Sequence, residues 1–492
     1  MIKKILLFSF FANSFLSFSQ EMVKEFDLKL EKKRDYFQVT NETDKEVILF
    51  LNDKENVTSI RFDEKFNVKD SLSASRPDKK YKEILGYSRN EGNYFVFWAS
   101  EDRKEIGAQY FNFIKKEINT TPINLELKKE KIIKELTINN TFYLITIVKN
   151  TSILKFYISD NNGDLNEKIV DLSHLKFKNS SKTVSLYSAL IELAGDPFRP
   201  TIHIEHISND SQPSLALSSK IFKVYTYKKD EIIFTFDNNT SATEILKINL
   251  NDFTANLKSI EQPKILQDEL DYSFAKSNSF LIDDKILQIK TTPDILFFTI
   301  SDQNGNKINQ FKTLREEEIN YKNSDVFQEI KSIHNKKVLE KPKQFIRKIN
   351  NSNPGVTCYK LNGLYYTVIG SSQDIAHASG GGVGMGMGGG AAPMFFASSY
   401  TIGNLISYKD KNVVYTNCLF DSNFNHIEDK LQTSAFEKAR LFLEENEDLK
   451  ESTSLFGKDL YKDLIVFKFN SLLYLGNYNK ENKKYQIYSF SE

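Results

Sequence analysis

Short apolar runs alternate with polar turns along most of the chain, which is the pattern of consecutive β-hairpins. One unit places apolar residues at 142–148 and 153–158 around a short polar turn and ends at 159–163 in Ser-Asp-Asn-Asn-Gly. A second unit ends at 301–305 in Ser-Asp-Gln-Asn-Gly. Two copies of Ile-Ser-Asp-x-Asn-Gly so far apart predict a repeated structural unit.

The last apolar residue before each polar turn marks the period of this repeat. Successive marks lie 43 to 52 residues apart, at Phe62, Ile114, Ile158, Ile207, Leu250 and Ile300. That spacing is typical of a four-stranded propeller blade. We therefore predict an all-β chain that forms a single β-propeller of about seven four-stranded blades, with tandem β-sandwich domains as the alternative.

The propeller is predicted to cover residues 20–492, with three insertions in its last third. Residues 314–350 are dense in charge with scattered apolar positions, which predicts helix and loop rather than strand. A glycine- and methionine-rich apolar loop spans 376–400. The third insertion, at 434–450, is predicted to be a helix, because Ser434 and Glu437 form a capping-box pair at its start.

The first 19 residues have the features of a signal peptide. Lys3 and Lys4 precede an apolar run from Ile5 to Leu16, and small residues precede Gln20, where we expect cleavage. The run is too short to span a bilayer as a helix, and no later segment predicts a transmembrane helix. We expect an exported protein that is periplasmic or associated with the outer membrane, less readily one that is fully extracellular.

Charge and cysteine content bear on two questions: whether the chain binds nucleic acid and whether it contains a disulfide. Without residues 1–19 the chain has 64 basic and 65 acidic residues, and this balance gives no support for a nucleic-acid partner. Only Cys358 and Cys418 are present. Export would let these two form a disulfide if they met in space, and otherwise they are small buried apolar side chains.

The most unusual segment is the loop at 376–400. It holds eight of the 20 glycines and three of the five methionines, and it has no charged residue. Glycine permits close backbone approach, and methionine and phenylalanine supply adaptable apolar area. We predict a partner-binding loop whose contact residues are Gly384, Met385, Gly386, Met387, Met394, Phe395 and Phe396.

This loop favours a non-catalytic interaction or scaffold protein. The expected partner is a protein of the cell envelope, such as an outer-membrane protein, and the chain would then be an accessory or pore-gating subunit of a protein-export complex. The alternatives are a propeller-type hydrolase or lyase that acts on carbohydrate or peptide, and a periplasmic ligand sensor. A flexible surface linker is the plain structural interpretation of the same loop.

Motifs for chemistry are weak. Gly384, Gly386 and Gly389 match a dinucleotide fingerprint only because the tract is rich in glycine, so no cofactor is predicted. His203 and His206 lie three apart on a predicted strand and face opposite sides, which excludes a shared metal. His203 and Glu205 are most simply a solvated strand face. No catalytic residue and no metal ligand is therefore assigned.

Overall fold

The computed structural model describes residues 20–30, 35–179, 182–191, 202–208, 212–265, 274–375, 400–446 and 464–492. Strands make up 55% of these described residues and helices 9%, so the predicted all-β class is confirmed. Within the described residues no helix combines the length and the apolar character needed to cross a membrane.

The strands of the first half are β1 (Gln20–Asp27), β2 (Asp35–Asn41), β3 (Glu46–Asn52), β4 (Asn56–Phe62), β5 (Val68–Ser75), β6 (Tyr81–Asn90), β7 (Asn93–Ser100), β8 (Ile106–Asn112), β9 (Glu117–Ile123), β10 (Glu130–Ile138), β11 (Thr141–Val148), β12 (Ile153–Ser159), β13 (Leu165–Asp171), β14 (Phe177–Asn179), β15 (Lys182–Val184) and β16 (Glu205–Ile207). A short helix, α1 (Leu186–Ile191), follows β15.

The second half begins with α2 (Leu215–Ser218). Its strands are β17 (Phe222–Tyr225), β18 (Glu231–Phe236), β19 (Ala242–Asn249), β20 (Ala255–Glu261), β21 (Lys276–Ile282), β22 (Lys285–Thr291), β23 (Ile295–Asp302), β24 (Lys307–Leu314), β25 (Phe327–Ile330), β26 (Ser332–Val338), β27 (Asn353–Leu361), β28 (Leu364–Asp374), β29 (Lys411–Phe420), β30 (Leu464–Phe469), β31 (Leu472–Asn479) and β32 (Lys484–Phe490). The remaining helices are α3 (Pro342–Asn351), α4 (Tyr400–Ile406) and α5 (Ala435–Glu445).

These strands form seven sheets of four or five strands, together with the small hairpin β14–β15. In chain order, sheet 1 is β2–β5, sheet 2 is β6–β9, sheet 3 is β10–β13, sheet 4 is β16–β20, sheet 5 is β21–β24, sheet 6 is β25–β29 and sheet 7 is β30–β32 with β1. Apart from β16, which runs parallel to β17, neighbouring strands are antiparallel. This is the predicted propeller architecture, and the sandwich alternative does not apply.

Consecutive sheets pack face to face through continuous apolar clusters. Trp98 of sheet 2 packs with Phe50 of sheet 1, and Phe97 of sheet 2 stacks on Phe142 of sheet 3 with ring centroids 4.3 Å apart. Sheet 7 packs on sheet 1 through Tyr485 and Tyr36. Burial of these large side chains on both faces of the sheets is the main favourable term in the stability of the fold.

The ring is closed by pairing the two ends of the described chain. β1 adds to β32 as the outer strand of sheet 7, in a register that runs from Gln20 opposite Phe490 to Asp27 opposite Lys484. The last strand, β32, thus holds the first described strand of the chain. Without β1, the outer edge of β32 would expose unpaired backbone N–H and C=O groups; β1 pairs with them.

A buried ion pair joins sheets 4 and 5. The Nζ atom of Lys223 lies 2.9 Å from Oδ2 of Asp237, and both side chains are fully buried. Asp237 also accepts hydrogen bonds from Thr243 and Ser279, and Lys223 donates to Asn278. Burial lowers the pKa of Lys223. Because each charge has several partners, this pair is a structural link between blades.

The repeated Ile-Ser-Asp motif is a hairpin turn that recurs in four sheets. In each turn an aspartate accepts backbone N–H bonds from the residues two and four positions later and a side-chain bond from an asparagine; the aspartates are Asp63, Asp160, Asp302 and Asp421. The residue three positions after each aspartate has a positive φ angle; these residues are Phe66, Gly163, Gly305 and Phe424. The carboxylates hold the turns through these bonds.

Two of the predicted insertions can be compared with the structure. The helix predicted from Ser434 is present as α5, and the Ser434 side chain accepts the backbone N–H of Glu437. Residues 314–350 were expected to be helix and loop, but they contain β25 and β26 as well as α3. β26 is an exposed edge strand of sheet 6, so it lacks the apolar alternation by which a strand is recognised.

Two glycines of the repeated turn allow a matched test of stability. Gly163 and Gly305 have φ angles of +84° and +87°, and L residues avoid that region. A Cβ atom at Gly163 would overlap the ring of Phe95, whereas at Gly305 the nearest atom, in Ile260, lies 3.5 Å away. We expect Gly305→Ala to lower the free energy of unfolding by about 1 kcal/mol and Gly163→Ala to lower it further.

Urea denaturation of both variants measures this difference. The shared backbone strain predicts a loss in each, and the additional overlap predicts the larger loss for Gly163→Ala. Equal losses would mean that the Phe95 ring moves aside without cost.

Candidate functional site

Two helices, α4 and α5, fill the junction between sheets 6 and 7. α4 and α5 pack on sheet 7, where Leu405 and Phe442 belong to one apolar cluster with Leu464, Val466 and Phe490. On the other side of these helices lies the face of sheet 6 that points away from sheet 5. We call the unit formed by α4, α5 and residues 212–219 the helical wedge.

Part of the wedge comes from a chain excursion at the inner edge of sheet 4. β16 is a fifth, parallel strand on the inner side of β17, and the Lys134 side chain of sheet 3 donates to the Ile204 carbonyl at 2.9 Å. The chain then reaches sheet 6, where Thr357 donates to the Pro213 carbonyl at 3.0 Å. Because inner strands surround the opening of a propeller, this excursion lies in that opening.

A cavity of about 110 Å³ lies between sheet 6 and the helical wedge. It is lined by Gln212, Pro213, Ser214, Leu215, Thr357, Tyr359, Tyr366, Thr367, Val368, Asn404, Tyr408, Tyr415, Asn417, Cys418, Leu431, Gln432, Phe436, Glu437 and Arg440. The lining combines aromatic rings with amide and charged groups, as small-molecule sites do. We refer to it as the wedge cavity.

One end of the wedge cavity carries an arginine paired with a buried glutamate. Nη2 of Arg440 donates to Oε1 of Glu329, whose side chain is completely buried. The guanidinium also lies over the Tyr408 ring, with Cζ 4.4 Å from the ring centroid. Oε2 of Glu329 has no hydrogen-bond partner. A buried carboxylate of this kind depends on its single cation, and a well-placed pair is costly to break.

Two tyrosines stand beside this pair. Burial raises the pKa of Tyr408 above its ordinary value, and it raises that of Tyr415 well above it. Both phenols are therefore protonated at neutral pH. They can donate hydrogen bonds or protons, but as neutral groups they are poor bases.

The other end of the wedge cavity is lined by a pair of tyrosines. The Tyr359 and Tyr366 rings are stacked, with centroids 5.2 Å apart and planes inclined by 21°. Nearby, the Ser434 hydroxyl donates to Oε1 of Gln212 at 2.6 Å, and Gln432 accepts from Asn362 at 3.1 Å. This end therefore combines an apolar ring face with amide groups that can both donate and accept.

The histidine and glutamate of the predicted solvated strand face occupy different environments. His203 is exposed, as predicted, but Glu205 is only partly exposed, and burial raises its pKa, although Lys134, Lys220 and Lys411 act in the opposite direction. Glu205 belongs to β16 and thus lies inside the propeller opening. The expectation of a simple solvated face is therefore corrected for Glu205.

The residues predicted to bind a partner cannot be placed on the fold. Gly384, Met385, Gly386, Met387, Met394, Phe395 and Phe396 lie outside the described residues, as does the signal peptide predicted at 1–19. The described residues next to that loop are Ile375, just after β28, and Tyr400, at the start of α4.

Cys358 and Cys418 are both buried free thiols. In sheet 6 Cys358 is opposite Thr367, and Thr367 is opposite Cys418, so the cysteines are two strands apart. Adjacent strands are spaced by about 4.8 Å, which places these Cα atoms beyond the reach of a disulfide. The bond considered from the sequence is therefore not formed in this geometry.

The sequence did not single out the polar residues of the wedge cavity. They come from four separated stretches, at 212–215, 357–368, 404–418 and 431–440, and no motif has this spacing. The available signal was partial: Arg440 lies on the helix predicted from Ser434, with the same orientation as Glu437 one turn earlier.

Comparison with known proteins finds solved structures that resemble this chain, but no related sequence. Neither a family model nor a curated protein sequence matches this chain. An oligogalacturonate lyase in complex with manganese has a TM-score of 0.35 at 7% identity, and the match covers 95% of this chain and 98% of that one. A dihydro-heme d1 dehydrogenase has a TM-score of 0.27 at 9% identity over 56% of this chain and 47% of that one.

A mutant of the Synechocystis apocarotenoid oxygenase has a TM-score of 0.29 at 9% identity, over 58% of this chain. This chain spans 62% of the length of that oxygenase. At such identities the likeness concerns the fold. The prediction of a non-catalytic docking protein is nevertheless contradicted, because these similar structures are of enzymes.

The Arg440–Glu329 pair provides a test of the wedge. In Arg440→Gln the buried Glu329 loses its charge partner, and we expect a loss of about 3 kcal/mol in the free energy of unfolding. The double variant Arg440→Gln/Glu329→Gln removes both charges and should recover much of that loss. Chemical denaturation of the parent, of both single variants and of the double variant measures the coupling, and additive losses would show that the two side chains act independently.

Proposed function

We propose that this protein is a carbohydrate-directed propeller enzyme, a hydrolase or a lyase, whose substrate binds in the wedge cavity. The observation that carries the proposal is the joining, in one cavity, of a stacked tyrosine pair and a buried arginine–glutamate pair. Sugars present an apolar ring face and many hydroxyl groups. The cavity offers complementary groups for both features.

The aromatic end supports a sugar rather than a wholly apolar ligand. The rings of Tyr359 and Tyr366 can cover one face of a pyranose, while Gln212 and Gln432 can exchange hydrogen bonds with its hydroxyls. A ligand without polar groups would leave these amides without partners on binding.

The opposite end offers groups for catalysis. Cleavage of a glycosidic bond requires a proton for the departing oxygen, by hydrolysis or by β-elimination. The neutral phenols of Tyr408 and Tyr415 can supply it, and Arg440 can stabilise negative charge that develops on the substrate. Glu437 is a carboxylate on the cavity lining and a candidate base.

We also propose that the protein acts after export. Residues 1–19 support this by their composition, and glycan polymers are abundant outside the cytoplasm. Proteolytic processing before Gln20 would be detected by N-terminal sequencing of the native protein.

Turnover of a panel of neutral and acidic polysaccharides tests the proposal. We expect reducing ends to be released from at least one polymer, and ultraviolet absorbance of an unsaturated product would identify elimination. Tyr408→Phe should lower kcat by about 100-fold or more, since it removes a proton donor. Tyr366→Leu should mainly raise KM, by about 10-fold, because it removes part of the aromatic surface.

The matched control is Tyr321→Phe. Tyr321 is also fully buried and hydrogen bonded, to Thr313, but it lies in the core cluster that joins sheets 5 and 6. Its removal should leave kcat and KM within about 2-fold of the parent protein. Equal losses in Tyr408→Phe and Tyr321→Phe, or no turnover and no binding across the panel, would overturn the proposal.

A further inference from the structure

The hydrogen-bonding groups at the Arg440 end of the wedge cavity are mainly donors. The guanidinium has five N–H groups and no acceptor, and the Glu329 carboxylate beside it bonds to Nη2. The neighbouring phenols of Tyr408 and Tyr415 are held in their protonated form by burial. A ligand group that satisfies this set must accept several hydrogen bonds from one side.

The charges around this end are balanced without a ligand. Arg440 faces Glu329, while Glu437 lies one helical turn before Arg440. Lys336 supplies a second cation, with Nζ 3.7 Å from the Phe327 ring centroid and 5.5 Å from that of Tyr415. Burial lowers the pKa of Lys336, and Glu329 and Glu437 oppose that change. An added negative charge would therefore meet two cations and two carboxylates, so its binding here would depend on the hydrogen bonds that the donors give it.

Glu437 is a carboxylate on the lining of the wedge cavity, so it disfavours an anionic group placed directly beside it. Glu437 is the third residue of α5, and its backbone N–H donates a hydrogen bond to the Ser434 side chain. Ser434 also bonds to Gln212, which belongs to the amide and tyrosine end of the cavity. Glu437 thus stands between the two ends, and the guanidinium and phenols form the side of the cavity on which an anion gains most.

We infer that the wedge cavity binds a sugar that carries a carboxylate, that is, a uronic acid unit. The carboxylate lies at the Arg440, Tyr408 and Tyr415 end, and the sugar ring lies toward Tyr359 and Tyr366. A planar carboxylate with two acceptor oxygens matches the planar fork of a guanidinium. The inference rests on the proposed function, and it specifies the substrate class of the same site.

Calorimetric titration of the full chain tests it with paired probes. The probes are three uronate oligosaccharides of different ring stereochemistry, each with its own methyl ester, which keeps the shape and removes the charge. Hydrogen bonds to charged groups predict that at least one acid binds about 10-fold more tightly than its ester. A sugar phosphate of similar size serves as a second anion.

The double variant Arg440→Gln/Glu329→Gln should lose the preference for the acid and keep the fold, since it leaves no unpaired charge. The matched control is Arg103→Gln/Glu83→Gln/Glu135→Gln, which removes a largely buried arginine between sheets 2 and 3 together with both of its carboxylate partners. That control should keep the full preference. A melting curve for each variant separates loss of the site from loss of the fold.

Each remaining outcome decides against the inference. Equal binding of acid and ester, survival of the preference in the Arg440 double variant, or tighter binding of the phosphate would overturn it. If neutral sugars bind and Tyr366→Leu abolishes that binding, the enzyme proposal stands and only the carboxylate assignment fails. If no sugar of any charge binds, both fail together.

Discussion

The pairing of β1 with β32 is the constraint on which the rest of the structure depends. It joins the first and last strands described along the chain, so that sheet 7 contains residues from both ends. Once the ring is closed, every sheet has a neighbour on each side and can bury both of its faces. The contacts between neighbouring sheets then set how much space each junction leaves, and the junction between sheets 6 and 7 is the one widened by helices.

That widening leaves the wedge cavity between sheet 6 and the helices. Two flat sheets in contact would fill the space with interlocking apolar side chains, as Phe97 and Phe142 do between sheets 2 and 3. Helices and the 212–219 excursion present irregular surfaces to sheet 6, and polar groups such as Arg440 and Asn404 reach the gap. The excursion also occupies the propeller opening, where a ligand would otherwise be expected. The path of the chain therefore explains why the wedge cavity lies beside sheet 6 and not on the propeller axis.

The sequence predicted the parts of the fold that repeat. The Asp160 and Asp302 turns and the strands before them carry local signals that survive in the structure. β26 was missed because an exposed edge strand needs no apolar alternation, and β25 because it is only four residues long. The wedge cavity was missed for another reason: Glu329 and Arg440 are 111 residues apart, and only the folded ring brings them together.

The four aspartate turns bear on the order in which the molecule can fold. Three of these turns, at Asp63, Asp160 and Asp302, each join two strands that are adjacent in the chain, so the hairpin requires closure of only a few residues and can form early. β1 has no such local partner, since its pairing strand ends at Phe490. During synthesis the first strand must wait, with its edge uncovered, until the last strand has emerged. Completion of the ring is thus a late, long-range event, preceded by short-range assembly of the individual sheets.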